Sequence, residues 1–519
     1  MFPLIRITPK IALIAVFSFI ASNEEAQHAF DSTSMGSTVV GAGASGTLFG
    51  QGTDPSISSY NNPSADFFDF TGFWMLGKNG GSTFASVNFR EDEETWPGPI
   101  DTMTRIARDP LDWNYVWVVT RQQVETHSRD FMKDGYQVPN AIRDWPADHE
   151  DQFVQSNLAP YVDWNSNQIY DPENGDYPAF DGDKVIYTIS NDQYGEHLSS
   201  GTDKMIVEQL TRLYVFDQPA LKNIIFGTTY FINRSTRDYA PFQVGHHIDF
   251  RLGNDNDNRV YTDVERGLFG AYNDDANDEG ASGFGQTRPV AGICYLNTDL
   301  HSSTIFVEGD DVRGIPVSTS EFENVMSGLW TDGAQKVMNG NGTGSGMGTR
   351  YVYPGTTDPE NLDLDWTESS SGEEAGRRSG LMSAELPTLA AGDHFRLDYA
   401  IITDTSDLGK DRLTELADYA RNHFRTTMSS NKMDHLAETR DLFYPNPLRM
   451  SQELTIDTRV KRLIISDYSG RRLLELEEEE LNAKKYRLPC SELFDAGVYL
   501  VTVQFEHGNK SSKLVITGD

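Results

Sequence analysis

Between about Asp31 and Thr403 the chain alternates apolar and polar residues in short runs, punctuated by Gly, Asn, Asp and Pro. KVIYTISND (Lys184 to Asp192), LKNIIFGTTYFINRS (Leu221 to Ser235) and HFRLDYAIITD (His394 to Asp404) show this most clearly. Period-two alternation rich in β-branched and aromatic residues predicts strands half buried on one face. One helical pattern stands out, in DLGKDRLTELADYARNHF. There Leu413, Leu416, Ala420 and Phe424 recur at three- and four-residue spacing, and Asp407 is the expected N-cap. The polar stretch TTMSSNKMDHLAETRD that follows predicts a linker over 427–441, closing a β-rich body at 30–426. From Leu442 to Asp519 a second series of short runs predicts a small sandwich. Ser469 and Gly470 form its expected hairpin turn. In GVYLVTVQFE, Tyr499, Val501, Val503 and Phe505 share the expected core face. The fold class is mostly β: a large antiparallel body, then a small Ig-like β-sandwich.

Composition narrows the function. The 519 residues carry 43 basic and 78 acidic side chains, a formal charge of −35. A field of that sign repels nucleic acid and anionic lipid and attracts divalent cations. At the N-terminus, Arg6 and Lys10 precede the apolar run Ile11 to Ala21. About eleven residues are too few for a bilayer helix, which takes roughly 20, so residues 1–22 read as a signal peptide. No later run is long enough to cross a membrane as a helix, so the mature chain is expected to lack a transmembrane segment. Two cysteines, Cys294 and Cys490, make no disulfide framework.

APYVDWNSNQIYDPENGDYPAFDGD, from Ala159 to Asp183, holds six carboxylates and no Lys or Arg. Counting Asp163 as position one of a calcium loop, Asn165 and Asn167 supply oxygens at three and five. Ile169 offers its carbonyl at seven, Asp171 stands at nine, and Asp176 closes the shell if the turn around Pro172 to Gly175 swings it back. Gln168 and Asn174 stand where an EF-hand has Gly and Glu. A structural calcium of weak affinity, on the order of 0.1–1 mM, is the expectation. A solvated turn and a catalytic acid cluster are the alternatives. A second, weaker cation candidate is Asp249, Asp255, Asp257 and Asp263, with Asp274 and Asp275 close in sequence and Arg251, Arg259 and Arg266 interrupting.

Other motifs carry less. VVGAGASG has Gly41, Gly43 and Gly46 in dinucleotide spacing, but Gly50, Gly52 and Pro55 forbid the helix that must follow. GNGTGSGMG, Gly340 to Gly348, lacks the Lys–Ser/Thr pair of a phosphate loop and is expected to be mobile. There is no G-x-S-x-G and no H-E-x-x-H. His246 and His247 sit together in GHHID, but adjacent strand residues point to opposite faces. Trp74, Trp96, Trp117 and Trp145 lie in apolar or strand-like runs and are expected in the core. No catalytic residue can be selected among so many acids.

FYPNP (Phe443 to Pro447), DYSGRRL (Asp467 to Leu473), DAGVYLVTV (Asp495 to Val503) and KLVI (Lys513 to Ile516) resemble the type A C-terminal sorting domain of the type IX secretion system of Bacteroidota. Tyr444, Pro445, Asn446, Pro447, Gly470, Gly497, Tyr499 and Lys513 carry the resemblance. It implies recognition by that secretion machinery, passage through the periplasm, and release or attachment to surface lipopolysaccharide. The body, through segments such as FTGFWMLG, GYQVPNAIRDWPA and IDFRLGNDNDNRVYTD, resembles large secreted proteins with such domains, a group that implies location and architecture but no reaction. The expected function is therefore an exported structural or binding protein with calcium-ordered acidic loops. A secreted hydrolase of polysaccharide or protein, or a glycan-binding adhesin, is the alternative; a cleft with paired acids about 5 Å or 6.5–9.5 Å apart would mark glycoside hydrolysis.

Overall fold

The computed structural model describes residues 67–428, apart from 91, 148–157 and 168, together with segments between 38 and 59 and between 443 and 517. The signal-peptide segment, most of the linker, Cys490 and the glycines of VVGAGASG lie outside the described residues.

Alternating runs become long antiparallel strands in two sheets. The larger has nine strands, with His394–Asp404 in the middle between Val290–Tyr295 and Ile224–Asn233. Outward on one side lie Leu268–Asn273 and Asn258–Asp263; on the other lie Val207–Val215, Lys184–Asn191 and Trp96–Pro97. Trp117–Thr120 also pairs with Lys184–Asn191. The six-stranded sheet runs Ser302–Phe306, Arg378–Leu386, Phe242–Phe250, Phe68–Asn79 and Leu48–Phe49, with Ser82–Ser86 paired to Phe68–Asn79.

Phe73, Val244, Ile248 and Met382 from the smaller sheet meet Ile186, Leu213, Phe231 and Tyr399 from the larger in one buried core. The outer faces are covered too. Leu413, Leu416, Ala417 and Ala420 of the helix Lys410–His423 are fully buried in a cluster with Phe226, Cys294 and Ile402. Phe322, Val325 and Met326 of the helix Thr319–Met326 pack on Trp74 and Leu381.

The strands are thus buried on both faces, where alternation predicts only one. Some of their polar positions satisfy one another: Thr211 and Thr229 hydroxyls lie 3.0 Å apart, and the Thr228 hydroxyl donates to Asp398 Oδ1 at 2.7 Å. Most buried polar groups in folded proteins are paired in this way. The late helix bears out the expected apolar stripe, but its N-cap is Gly409, two residues after the proposed Asp407. A second helix, Arg121–Asp130, is closed by a Thr120–Gln123 capping box. Gly340 to Gly348 is tied down, since the indoles of Trp330 and Trp366 donate to the Gly342 and Gly340 carbonyls, each at 2.8 Å.

Toward the C-terminus, Phe443–Tyr444, Glu453–Asp457 and Lys485–Pro489 form a three-stranded sheet. A five-stranded one orders Leu448–Arg449, Gly508–Thr517, Gly497–Phe505, Arg462–Asp467 and Arg472–Glu477. Arg462–Asp467 and Arg472–Glu477 pair as the hairpin that Ser469–Gly470 predicts. Tyr499 and Val501 are buried, and Leu500 between them is exposed.

Candidate functional site

The acidic loop grows from a two-residue antiparallel neck, Tyr161–Val162 against Tyr177–Pro178. The ring of Tyr161 meets that of Tyr170 edge-on at 5.2 Å, which seats the far side of the loop against the same apolar cluster. The turn Pro172–Asn174 ends at Gly175, whose φ of 109° returns the chain to the neck. A Cβ there would lie 2.8 Å from the Phe131 ring and 3.0 Å from that of Trp164.

Asp176 is swung back onto the loop by the turn. It is fully buried, and its carboxylate accepts the Trp164 N–H at 2.8 Å and the Asp171 N–H at 3.0 Å, closing the loop on itself. Burial raises its pKa, and the neighbouring Asp171 adds to the rise against the two backbone donors. Burial also pushes Asp171 up, but the Asn174, Asn167 and Asn165 amides outweigh it, and its pKa falls below the usual carboxylate range. Those amides donate to Asp171 at 2.8–3.0 Å. Asp163 Oδ1 and Asn165 Oδ1 accept the Asn167 N–H, and Asn167 Oδ1 accepts the Ile169 N–H at 2.8 Å. Asp163, Asn165, Asn167, Asp171 and Asp176 are therefore linked in one network, while the side chain of Ile169 points to solvent.

A support holds this loop from beneath. His127, on the helix Arg121–Asp130, is fully buried, and its Nε2 lies 3.0 Å from the Asp176 carbonyl. That nitrogen must carry the hydrogen, so Nδ1 accepts from the Tyr136 hydroxyl at 3.3 Å. Burial lowers the His127 pKa, which favours this neutral form. Above the loop, Trp164 is 54% exposed, with its ring edge against Phe131 at 5.9 Å. Sequence reasoning passed over Trp164; its place among loop residues, in DWNSN, was the available signal.

The second acidic set is divided. Asp263 stands at the far end of the strand Asn258–Asp263, bonded to Arg266 Nη1 at 2.9 Å and to the Tyr261 hydroxyl at 3.2 Å. Asp249 accepts from Arg377 Nη2 at 2.7 Å. Asp274 pairs with Arg259 at 2.8 Å. Asp255 and Asp257 both lie in the turn before the strand; Asp255 is near enough to Asp249 to raise its pKa, and Asp257 accepts from the Asn273 amide. Among the described residues no group of three or more His, Cys, Asp or Glu side chains is gathered to hold a metal. Any cation site here therefore also uses amide and carbonyl oxygens.

His246 and His247 are buried on opposite faces of their strand. His246 packs against Phe73 and Tyr399 inside the sandwich, and His247 stacks on Trp74 at 4.9 Å on the outer side. Trp74 and Trp145 are core residues as expected, whereas Trp96 and Trp117 are half-buried. Cys294 is a buried free thiol, its pKa pushed up to about 12 by burial.

In the C-terminal region, Tyr444 pairs with Thr455, Gly497 with Ile516, and Lys513 with Leu500. The Tyr499 hydroxyl donates to the Asp495 carbonyl at 2.7 Å, and its ring meets Phe494 at 5.2 Å. Pro445, Asn446, Pro447 and Gly470 lie outside the described residues. Residues 442–517 match the secretion system C-terminal sorting domain family. This region is a type A sorting domain of the type IX secretion system. The sorting domain directs the chain across the outer membrane, to the cell surface or the medium, and implies contact with that machinery. Among the described residues no helix is long and apolar enough to cross a membrane. The family of the body is unassigned. No curated protein matches the chain. Among solved structures, a polysaccharide lyase is similar at 7% identity and a TM-score of 0.21, over 64% of this chain and 35% of that one. This chain thus spans about a third of that lyase's length.

Proposed function

We propose that the body is a non-enzymatic binding or structural protein of the cell surface or medium, whose acidic loop is fixed by calcium and presents Trp164. One observation carries this: Asp163 and Asp171 share a network with Asn side chains in an exposed loop, closed by the buried Asp176 and edged by an exposed indole. Asn165 Oδ1 and Asn167 Oδ1 each accept one backbone N–H and keep a second lone pair, and rotation of the Asn174 amide by half a turn presents its oxygen as well. Calcium takes 6–8 such hard oxygens, so the network can exchange N–H donors for an ion without refolding. An indole held at one edge by Phe131 offers its free face to a flat ligand such as a sugar ring. After export the body is released or held on lipopolysaccharide.

The test is thermal melting of the full chain with chelator and with millimolar calcium, beside retention on a glycan array. Asp163→Ala with Asn165→Ala is expected to remove the loop's part of the calcium-dependent rise in Tm, and Trp164→Ala to abolish retention while leaving the melt unchanged. A calcium response identical in the double variant and the parent would exclude the loop as a ligand. Turnover of a glycan or peptide panel would replace the binding role with hydrolysis.

A further inference from the structure

The turn leading into the strand Asn258–Asp263 leaves buried polar atoms unanswered. Asp255 Oδ1, Asp257 Oδ1 and both side-chain amide atoms of Asn258 are buried with no hydrogen-bond partner. Asn258 is fully buried. It lies opposite Asn273 across the strand pair, and the Asn273 amide donates to the other Asp257 oxygen at 2.8 Å. Cross-strand partners share a face, so the Asn258 amide, the Asn273 amide and the Asp257 carboxylate are gathered at one mouth.

A fully buried acid braces the opposite side. Asp278 accepts the Asn254 N–H and the Phe284 N–H, each at 2.7 Å, tying the two loops together. Gly253 makes that approach possible, since a Cβ on it would lie 1.9 Å from Asp278 Oδ2. Asp278 is near enough to add its negative charge to those of Asp255 and Asp257. Arg377 bonds Asp249 and Asp69, Arg251 pairs with Asp69 and Arg259 with Asp274; the charges of Arg377 and Arg251 oppose the rise that burial causes in Asp255, but neither donates to its buried Oδ1.

Buried oxygens left without donors carry a desolvation penalty that native proteins relieve with a bound group. Asn258 is the decisive member. A surface loop neutralised by salt bridges has no use for a neutral amide buried with both polar atoms unpaired. We infer that Asp255, Asp257 and Asn258 bind a hard divalent cation of calcium size, with Asp278 bracing the turn opposite. Turn carbonyls and water complete the shell. The ion fastens the 254–258 turn to the loop before Phe284, whose side chain packs against the inter-sheet core. This site is independent of the acidic loop.

The experiment is calorimetric titration of the chelator-stripped full chain with calcium chloride, in the Asp163→Ala, Asn165→Ala background so that the acidic loop is silent. One equivalent of calcium should bind there and be lost when Asp255→Asn and Asp257→Asn are added. Both replacements keep the shape, and the Asn273 bond can still form. Absence of binding in the background, or binding that survives the added pair, overturns the site. Should the fourfold variant fail to fold, crystals of the unaltered chain grown in calcium chloride decide. An ion 2.3–2.6 Å from the three side-chain oxygens supports the site. Water alone at that position refutes it.

Discussion

Two acidic turns in this protein solve the same electrostatic problem in opposite ways. In the loop from Asp163 to Asp176 the charge is met internally: three Asn amides serve Asp171, and two backbone N–H groups serve Asp176. In the turn from Asp255 to Asn258, the Asn273 amide meets one Asp257 oxygen, but Asp255 Oδ1, Asp257 Oδ1 and Asn258 Oδ1 are buried without a donor. The first network is half in water and has donors of its own before any ion adds to them. The second has only an ion or water to turn to. Counting acids along the chain cannot separate the two cases, because the difference lies in the donors that the fold supplies.

The largest effect expected from either turn is at Asp176. Replacing it with Ala strands two backbone donors in a closed loop, at a cost of about 1–3 kcal/mol for each donor left unsatisfied. Because this bond set is independent of metal, we predict the same loss with chelator and with calcium, measured by denaturant melts. A loss seen only in calcium would reverse the contrast and make Asp176 chiefly an ion ligand. Next in size is the calcium contribution itself. Stripping the parent protein should lower its Tm, and most of that drop should disappear in the Asp255→Asn, Asp257→Asn variant. The Asp163→Ala, Asn165→Ala variant should keep most of it. Equal shares would show that satisfied and unsatisfied turns respond alike, and the comparison would fail.

Much of this was legible in the sequence. Alternation located the strands Lys184–Asn191, Ile224–Asn233 and His394–Asp404, and three- and four-residue spacing located the helix that buries Leu413 and Leu416. It understated burial, because Thr228, Thr229 and Asp398 look like solvent-facing residues until their partners on neighbouring strands are known. Arg121–Asp130 was missed for want of an apolar stripe, although Thr120 and Gln123 spell its capping box. The return of Asp176 was readable from Pro172 and Gly175, a local turn. Asp249 and Asp263 were grouped with Asp255 and Asp257 by proximity in the chain. A six-residue strand sets Asp263 apart, and Arg377, distant in sequence, takes Asp249. Asn258 and Asp278 entered only with the fold, because twenty residues separate them along the chain.

The smallest effect supplies a control that leaves both turns untouched. His246 and His247 are buried, and burial lowers their pKa values to about 3 and about 4, below the ordinary 6.5. Between those values and 6.5 the unfolded chain binds protons that the folded chain excludes, so stability rises with pH. It is fully present above about 6.5 and lost as pH falls toward 4 and then 3. His247→Phe keeps an aromatic ring against Trp74 while removing one titrating group. We predict a shallower fall of Tm between pH 6.5 and 4 in this variant, with an unchanged difference between calcium and chelator at pH 7. Were the calcium difference also to shrink, the outer face of the smaller sheet and the cation turn would be coupled, and melting could no longer assign calcium to one place.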